Sequence, residues 1–339
     1  MRRRAGNNSA KEKSMNGRIA RGLALAVATA ALCGGAQAQD KWPSRPVRLI
    51  STSVAGGNID VMCRIIAEKL SLRLGQPVLV DNRPGAATVL GTAEAAKAPP
   101  DGYTFLITIM SSMVGNRVLR ANLPYDPVKD FEPVTQISTG NVLLVGPAGA
   151  PYRDLKGFVE WAKKLGRPVS YGSIGVGTSL HLFGVILEKE YGVPLNHVPY
   201  KGEVQATTDV MNGTLDVAWV SILIAKPLAS AGKLRALAIT GPKRFVAWPE
   251  LSTFAEQGFP GFEMPVWGGA YLPAGTPKPI VERLSREIVE VLRMPEVSER
   301  LIAMGQLPIG NTPEEFAENY RRDFPRWEAL IKASGAKVE

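Results

Sequence analysis

The chain has 339 residues, enough for two domains or one large one. With 45% hydrophobic and 21% charged residues, its composition excludes a disordered or fibrous chain. The net charge of +9 is concentrated at the start: residues 1–39 hold seven Lys or Arg and one acid, so the remainder carries only +3, which argues against nucleic acid as a partner.

Residues 1–38 read as a secretory signal peptide. A basic stretch ends at Arg21, an apolar stretch runs from Leu23 to Leu32, and Ala36-Gln37-Ala38 forms an A-x-A cleavage site. Met15 is an alternative start. Leu32 is a poor neighbour for lipidation of Cys33, and no later segment has 18 uncharged apolar residues in a row. A periplasmic, unanchored protein is expected. Cys63 alone remains after cleavage, so no internal disulfide supports the fold.

In chain order, Val47–Ile50 reads as a strand, followed by a small-residue loop at 51–58. Helical periodicity runs from Ile59 to Leu74, with Asn58 as a candidate N-cap and Asp60 in the first turn. Strand 78–80, a turn at 81–85, helix 89–97 and strand 103–108 follow. This alternation predicts a parallel sheet. An extended run at 134–146 is a candidate crossing between domains. A second series gives helix 155–164, strand 169–171, helix 178–191, strand 197–199, helix 204–211, strand 217–220, helix 223–231 and strand 236–240. A second crossing is expected at 266–272, then helices at 278–292, 297–304 and 313–334. Pro325 is expected to kink or split the last of these.

The segment YGSIGVGTSLHL, 171–182, carries three glycines between a strand and a helix. Thr178 or Ser179 caps that helix in this reading, and a helix start with free N–H groups suits an anion. A plain strand-to-helix turn is the competing reading. Other chemistries find little footing. Tyr171 stands where G-x-S-x-G needs its first glycine, although a hydrolase using Ser173 or Ser111 with one of two histidines stays open. Two His and one mature Cys argue against a metal site on composition. The glycine spacing fits neither dinucleotide nor P-loop motifs, so no cofactor is expected.

Many segments together resemble the substrate-binding proteins of tripartite tricarboxylate transporters, the family first called Bordetella uptake receptors. They include WPSRPVRLI (42–50), GGNID (56–60), LGQPV (74–78), DNRPGA (81–86), PDGYT (100–104), LPYDPVKDF (123–131), HVPYKG (197–202), GKLRALA (232–238) and PAGTP (273–277). The resemblance implies an α/β, two-lobed periplasmic binding fold, each lobe a mostly parallel sheet flanked by helices, with the ligand cleft between lobes. Lobe 1 would comprise 40–141 plus 264–339, and lobe 2 would comprise 142–263. The protein would be a monomeric, non-enzymatic receptor delivering a small carboxylate to the membrane permease of such a transporter. A ligand-sensing subunit of a membrane sensor is an alternative.

Carried over residue by residue, the resemblance places ligand contacts at Ser53, Ala55, Gly56, Gly57, Asn58 and Asp60. Further contacts would come from Ser111, Ser112 and Asn116, from Ser173, Gly177, Thr178 and Ser179, and from Val220 and Ser221. Where the family has roughly P-F-A-P-G-G, this chain has Thr52-Ser-Val-Ala-Gly-Gly57. Members often carry an acid where Val220 lies. Its absence predicts a ligand without an amine.

Overall fold

The computed structural model describes residues 42–336; the expected signal peptide lies outside them. Strands β1 (Val47–Ser51), β2 (Val78–Asn82) and β3 (Thr104–Ile109) pair in parallel, with β1 in the middle. Helices α1 (Asn58–Leu74) and α2 (Val89–Ala96) make the connections. Helix α1 buries Ile59, Met62, Cys63, Ile66, Leu70 and Leu74, the stripe its periodicity predicts. It stops at Gly75, whose left-handed backbone returns an N–H to Ser71 O. Its N-cap is Gly57 rather than Asn58, and no side chain caps it.

The first sheet is completed by three antiparallel strands. Its order is β11-β4-β10-β3-β1-β2, with β4 at Phe131–Gly140, β10 at Val266–Pro273 and β11 at Gln306–Pro308. Strand β10 inserts between β3 and β4 and runs antiparallel to both. The second sheet has the order β7-β6-β8-β5-β9. Its strands are β5 (Val142–Pro147), β6 (Val169–Ser173), β7 (Leu195–Pro199), β8 (Val217–Ser221) and β9 (Leu234–Ile239). Again three strands, β7, β6 and β8, are parallel, and β5 joins antiparallel to both β8 and β9. Each sheet is thus mixed. The strand–helix alternation accounts for the parallel part, and the strands adjoining the crossings supply the antiparallel part.

The chain leaves the first sheet at Gly140 and enters the second at Val142, with Asn141 alone between them. It departs the second sheet after Ile239 and re-enters the first at Val266. Helices α4 (Leu155–Lys164), α5 (Ser179–Tyr191), α6 (Glu203–Met211) and α7 (Ile222–Ser230) flank the second sheet. Helices α8 (Lys278–Leu292), α9 (Pro295–Ala303) and α10 (Pro313–Ala333) end the chain. None of the described helices is long and apolar enough to cross a membrane.

Helix α10 ties the two sheets. At its start Phe316 meets Trp267 and Tyr271 of β10, with ring centroids 5.6 and 5.2 Å away. Three turns on, Trp327 packs edge-on against Phe183 of α5 at 6.0 Å. Phe183 also touches Trp219 and Phe262, part of a stack in which Phe254 and Phe262 lie 4.1 Å apart. Trp219 and Trp267 are therefore core residues. Pro325 does not split α10, which runs through it. Pro325 and Arg321, whose carbonyl lacks its helical donor there, are both exposed, so water can supply the missing bond. Truncation of the fully enclosed Phe316 to Ala should cost about 3–5 kcal/mol. Urea denaturation measures this, and a loss below about 1 kcal/mol would show that α10 does not anchor the first sheet.

Candidate functional site

A cavity of about 790 Å³ lies where loops from both sheets converge. From the first sheet it is lined by 52–59 after β1 and by 84–88 after β2; from the second, by Ile174, Gly175, Val176 and Thr178 after β6 and by 199–204 after β7. These are carboxyl ends of parallel strands, where open α/β sheets place ligands. Much of the wall is apolar: Val54, Ala55, Ala87, Val176, Val204 and Ile224. Its charged residues are Arg120, Lys201 and Glu203, one positive charge in excess.

The β1 loop is fixed by Asp60. Its carboxylate accepts from Gly56 N–H at 2.8 Å, Asn82 Nδ2 at 2.8 Å and Arg64 Nε at 3.0 Å. Burial pushes this carboxyl up, but the bonds from Arg64, Gly56 and Asn82 outweigh it and hold its pKa below the usual carboxylate value. Gly57 N–H is taken by Val54 O at 3.1 Å. The glycine pair therefore shapes the loop, whereas the N–H groups of Asn58, Ile59 and Asp60 at the start of α1 have no acceptor among the described residues. A cluster of free N–H groups at the positive end of a 17-residue helix favours an anion.

The turn after β2 is strained. Ala86, Ala87 and Thr88 all have positive φ, at 47, 51 and 79°. Left-handed backbone costs an alanine or threonine about 1–2 kcal/mol per residue, so something must hold it. Asn116 Nδ2 donates to Ala87 O at 2.9 Å and to Thr88 Oγ1 at 3.2 Å. Ser112 Oγ donates to Thr88 Oγ1 at 2.7 Å and bonds Thr108, which reaches Thr52 at 3.0 Å. Tyr125 O–H closes the chain on Ser112 O at 2.6 Å.

The anticipated contacts thus divide. Ser53, Ala55, Gly56, Gly57, Asn58 and Thr178 line the cavity. Asp60, Ser112 and Asn116 sit behind the wall and support it. Ser111, in the π turn Ser111–Gly115 that precedes α3 (Asn116–Leu119), is buried with its Oγ unpartnered among the described residues. Ser179, at the first position of α5, is buried too. Gly177 is a closure point: a Cβ on Gly115 would come within 2.4 Å of its carbonyl oxygen, so this turn and the β6 loop meet backbone to backbone. Val220 is core, packed with the apolar residues under α6 and α7.

Thr178 is the N-cap of α5, accepting from His181 N–H at 3.4 Å. Ser173 Oγ contacts His197 Nε2 at 2.7 Å and accepts from Gly175 N–H at 3.1 Å. Gly177 N–H donates to His181 Nδ1 at 3.2 Å, and the two imidazoles lie 4.5 Å apart. Burial lowers His181 to about 4, and burial with the neighbouring His181 lowers His197 to about 3. Two features escaped sequence reading. One is the 86–88 turn, which has no glycine to mark its positive φ. The other is Glu203, whose Oε2 accepts from Ser221 N–H at 2.8 Å and Ser221 Oγ at 2.6 Å. Glu203 lines the cavity from the start of α6, whereas Val220 does not.

Two measurements test these supports. Asn116→Ala leaves the left-handed turn without its clamp and should cost about 1–3 kcal/mol in urea unfolding, whereas an unchanged midpoint would mean the turn holds itself. His181 takes up a proton at about pH 4 in the folded chain but near the ordinary 6.5 when unfolded. The unfolded state therefore binds more protons in that window, and the melting temperature should fall as pH drops from about 6.5 to about 4. In His181→Gln the fall should be shallower, with the remainder due to His197 and to carboxylates such as Asp60 that are held below their usual value; an identical slope would show that His181 does not carry it.

A model of the tripartite tricarboxylate transporter family receptor matches residues 62–336. The protein in the tcbD-tcbE intergenic region of Pseudomonas sp. (strain P51) is 37% identical over 315 residues, 93% of each chain. Among solved structures, R. palustris Rpa4515 with adipate has a TM-score of 0.84 at 32% identity, covering 88% of this chain and 100% of that one. MatC (Rpa3494) from Rhodopseudomonas palustris with bound malate gives 0.79 at 29%, covering 86% and 100%. Such neighbours establish a two-lobed periplasmic binding fold, and with matches over nearly its whole described length the chain belongs to the tripartite tricarboxylate transporter receptor family.

Proposed function

We propose that this protein is a periplasmic receptor, exported by a cleavable signal peptide at 1–38, that captures a small carboxylate between 40–141 plus 264–339 and 142–263. It would deliver that ligand, as a monomer, to the membrane permease of a tripartite tricarboxylate transporter. The observation that carries the reading is the shared cavity. Loops from both sheets line it, a helix start offers it free N–H groups, and its charged residues leave a positive excess. Adipate and malate in the two related structures support a carboxylate as the ligand class. One carboxyl group would sit at Asn58–Asp60, and the apolar wall would take the body of the ligand.

Closure around the ligand would use the two crossings, at Asn141 and between Ile239 and Val266. The expected contacts Ser53, Ala55, Asn58 and Thr178 keep that role; Gly56, Gly57, Ser112, Asn116, Asp60 and Ser173 act by shaping the loops.

The contact of Ser173 Oγ with His197 Nε2 is the observation that favours an exported hydrolase. Against it, Ser173 is 1% exposed and no carboxylate orients His197 among the described residues. Nitrophenyl ester turnover that is lost in Ser173→Ala would establish the hydrolase.

A thermal-shift screen of mono- and dicarboxylic acids tests the receptor reading. A ligand at 100 times its Kd should add about 2.7 kcal/mol to stability. Asn58→Pro removes one N–H at a position where proline fits a helix start, and should weaken binding about tenfold without unfolding the chain. If no carboxylic acid shifts the melting temperature, the receptor reading fails.

A further inference from the structure

Glu203 is the one acid among the described residues lining the cavity. It opens α6, and its Oε2 is held twice by Ser221, through N–H and O–H. No cation pairs with it among the described residues, although Lys201 and Arg120 share the cavity wall. Burial raises its carboxyl above the usual carboxylate value and outweighs the two Ser221 bonds, which favour the ionised form. Oε1 has no hydrogen-bond partner among the described residues, so in its ionised form this group is a held acceptor on the cavity wall with one oxygen unengaged. It penalises a second carboxylate brought against it, and it rewards a ligand that brings a donor.

We infer that Glu203 selects, among carboxylates, those that also carry a hydrogen-bond donor, a protonated amine ahead of a hydroxyl. This rests on the carboxylate reading of the cavity and narrows it. It also reverses the amine-free ligand expected from Val220, because Val220 packs into the core and the acid reaches the cavity from another element.

Calorimetry with two matched sets tests it: succinate, malate and aspartate, and 3-phenylpropionate, phenyllactate and phenylalanine. In at least one set affinity should rise from plain acid to hydroxy acid to amino acid. Glu203→Gln keeps the acceptor for Ser221 and removes the charge, so the preference for the amine over the plain acid should shrink about tenfold or more. Ser221→Ala, which leaves the acid but loosens it, should shrink the preference less. If the plain acid binds tightest, or Glu203→Gln leaves the ratio unchanged while melting like the parent, Glu203 is not the selector and the carboxylate reading stands without it. If no acid of either set binds, the carboxylate reading falls and this inference falls with it.

Discussion

The architecture depends on how the backbone passes between two sheets with almost no linker. Asn141 alone separates β4 from β5, and it is buried. Its side chain donates to Thr240 O, and Thr240 Oγ1 accepts from Val142 N–H at 3.0 Å, so the outgoing crossing is stitched to the end of β9. Gly241 follows with φ +106°, and a Cβ there would lie 2.1 Å from Asn141 Nδ2. Only glycine meets both demands. Gly241 N–H then bonds Phe262 O at 2.8 Å, which returns the chain toward β10. Both passages are thus fastened at one place, and the sheets are held close enough for their loops to share a cavity.

That constraint explains why glycine marks the meeting of the loops. Gly115 faces the carbonyl of Gly177, Gly175 lies against Ala87, and Gly202 lies against Val54, all closer than an added Cβ would allow without adjustment. The walls approach through backbone and methyl groups. Few long polar side chains line it: Arg120, Lys201, Tyr200 and Glu203.

Element types and most boundaries were legible in the sequence because they rest on local signals. The α1 stripe, the capping glycine at 75 and the helix at 278–292 each follow from residues a few positions apart. The insertion of β10 between β3 and β4 was not legible: the hydrogen bonds that set it join positions more than a hundred residues apart. The site was partly legible for the same reason. Glycines announced the loops, but the left-handed turn at 86–88 is made by Ala, Ala and Thr, whose conformation is imposed by Asn116 and Ser112 from another segment. Those two residues were recognised as belonging near the site, yet their polar groups turn toward the turn they restrain.

The strained turn also suggests what the buried polar chain contributes. Thr52, Thr108, Ser112, Thr88, Asn116 and Tyr125 lie on five different segments and are joined by successive hydrogen bonds behind the cavity wall. A buried network of this kind is stable only when each member is satisfied, so it tolerates one arrangement of those segments. Its energy offsets the cost of three left-handed residues and leaves their N–H groups without acceptors beside the cavity. The α1 start offers N–H groups in the same way, because Asp60 fixes its loop from behind. On both turns the side chains hold the backbone from the protein side, and it is the backbone that is presented to a ligand. A carboxylate of the kind proposed asks for donors fixed in advance, and on both turns the groups that fix them sit behind the wall.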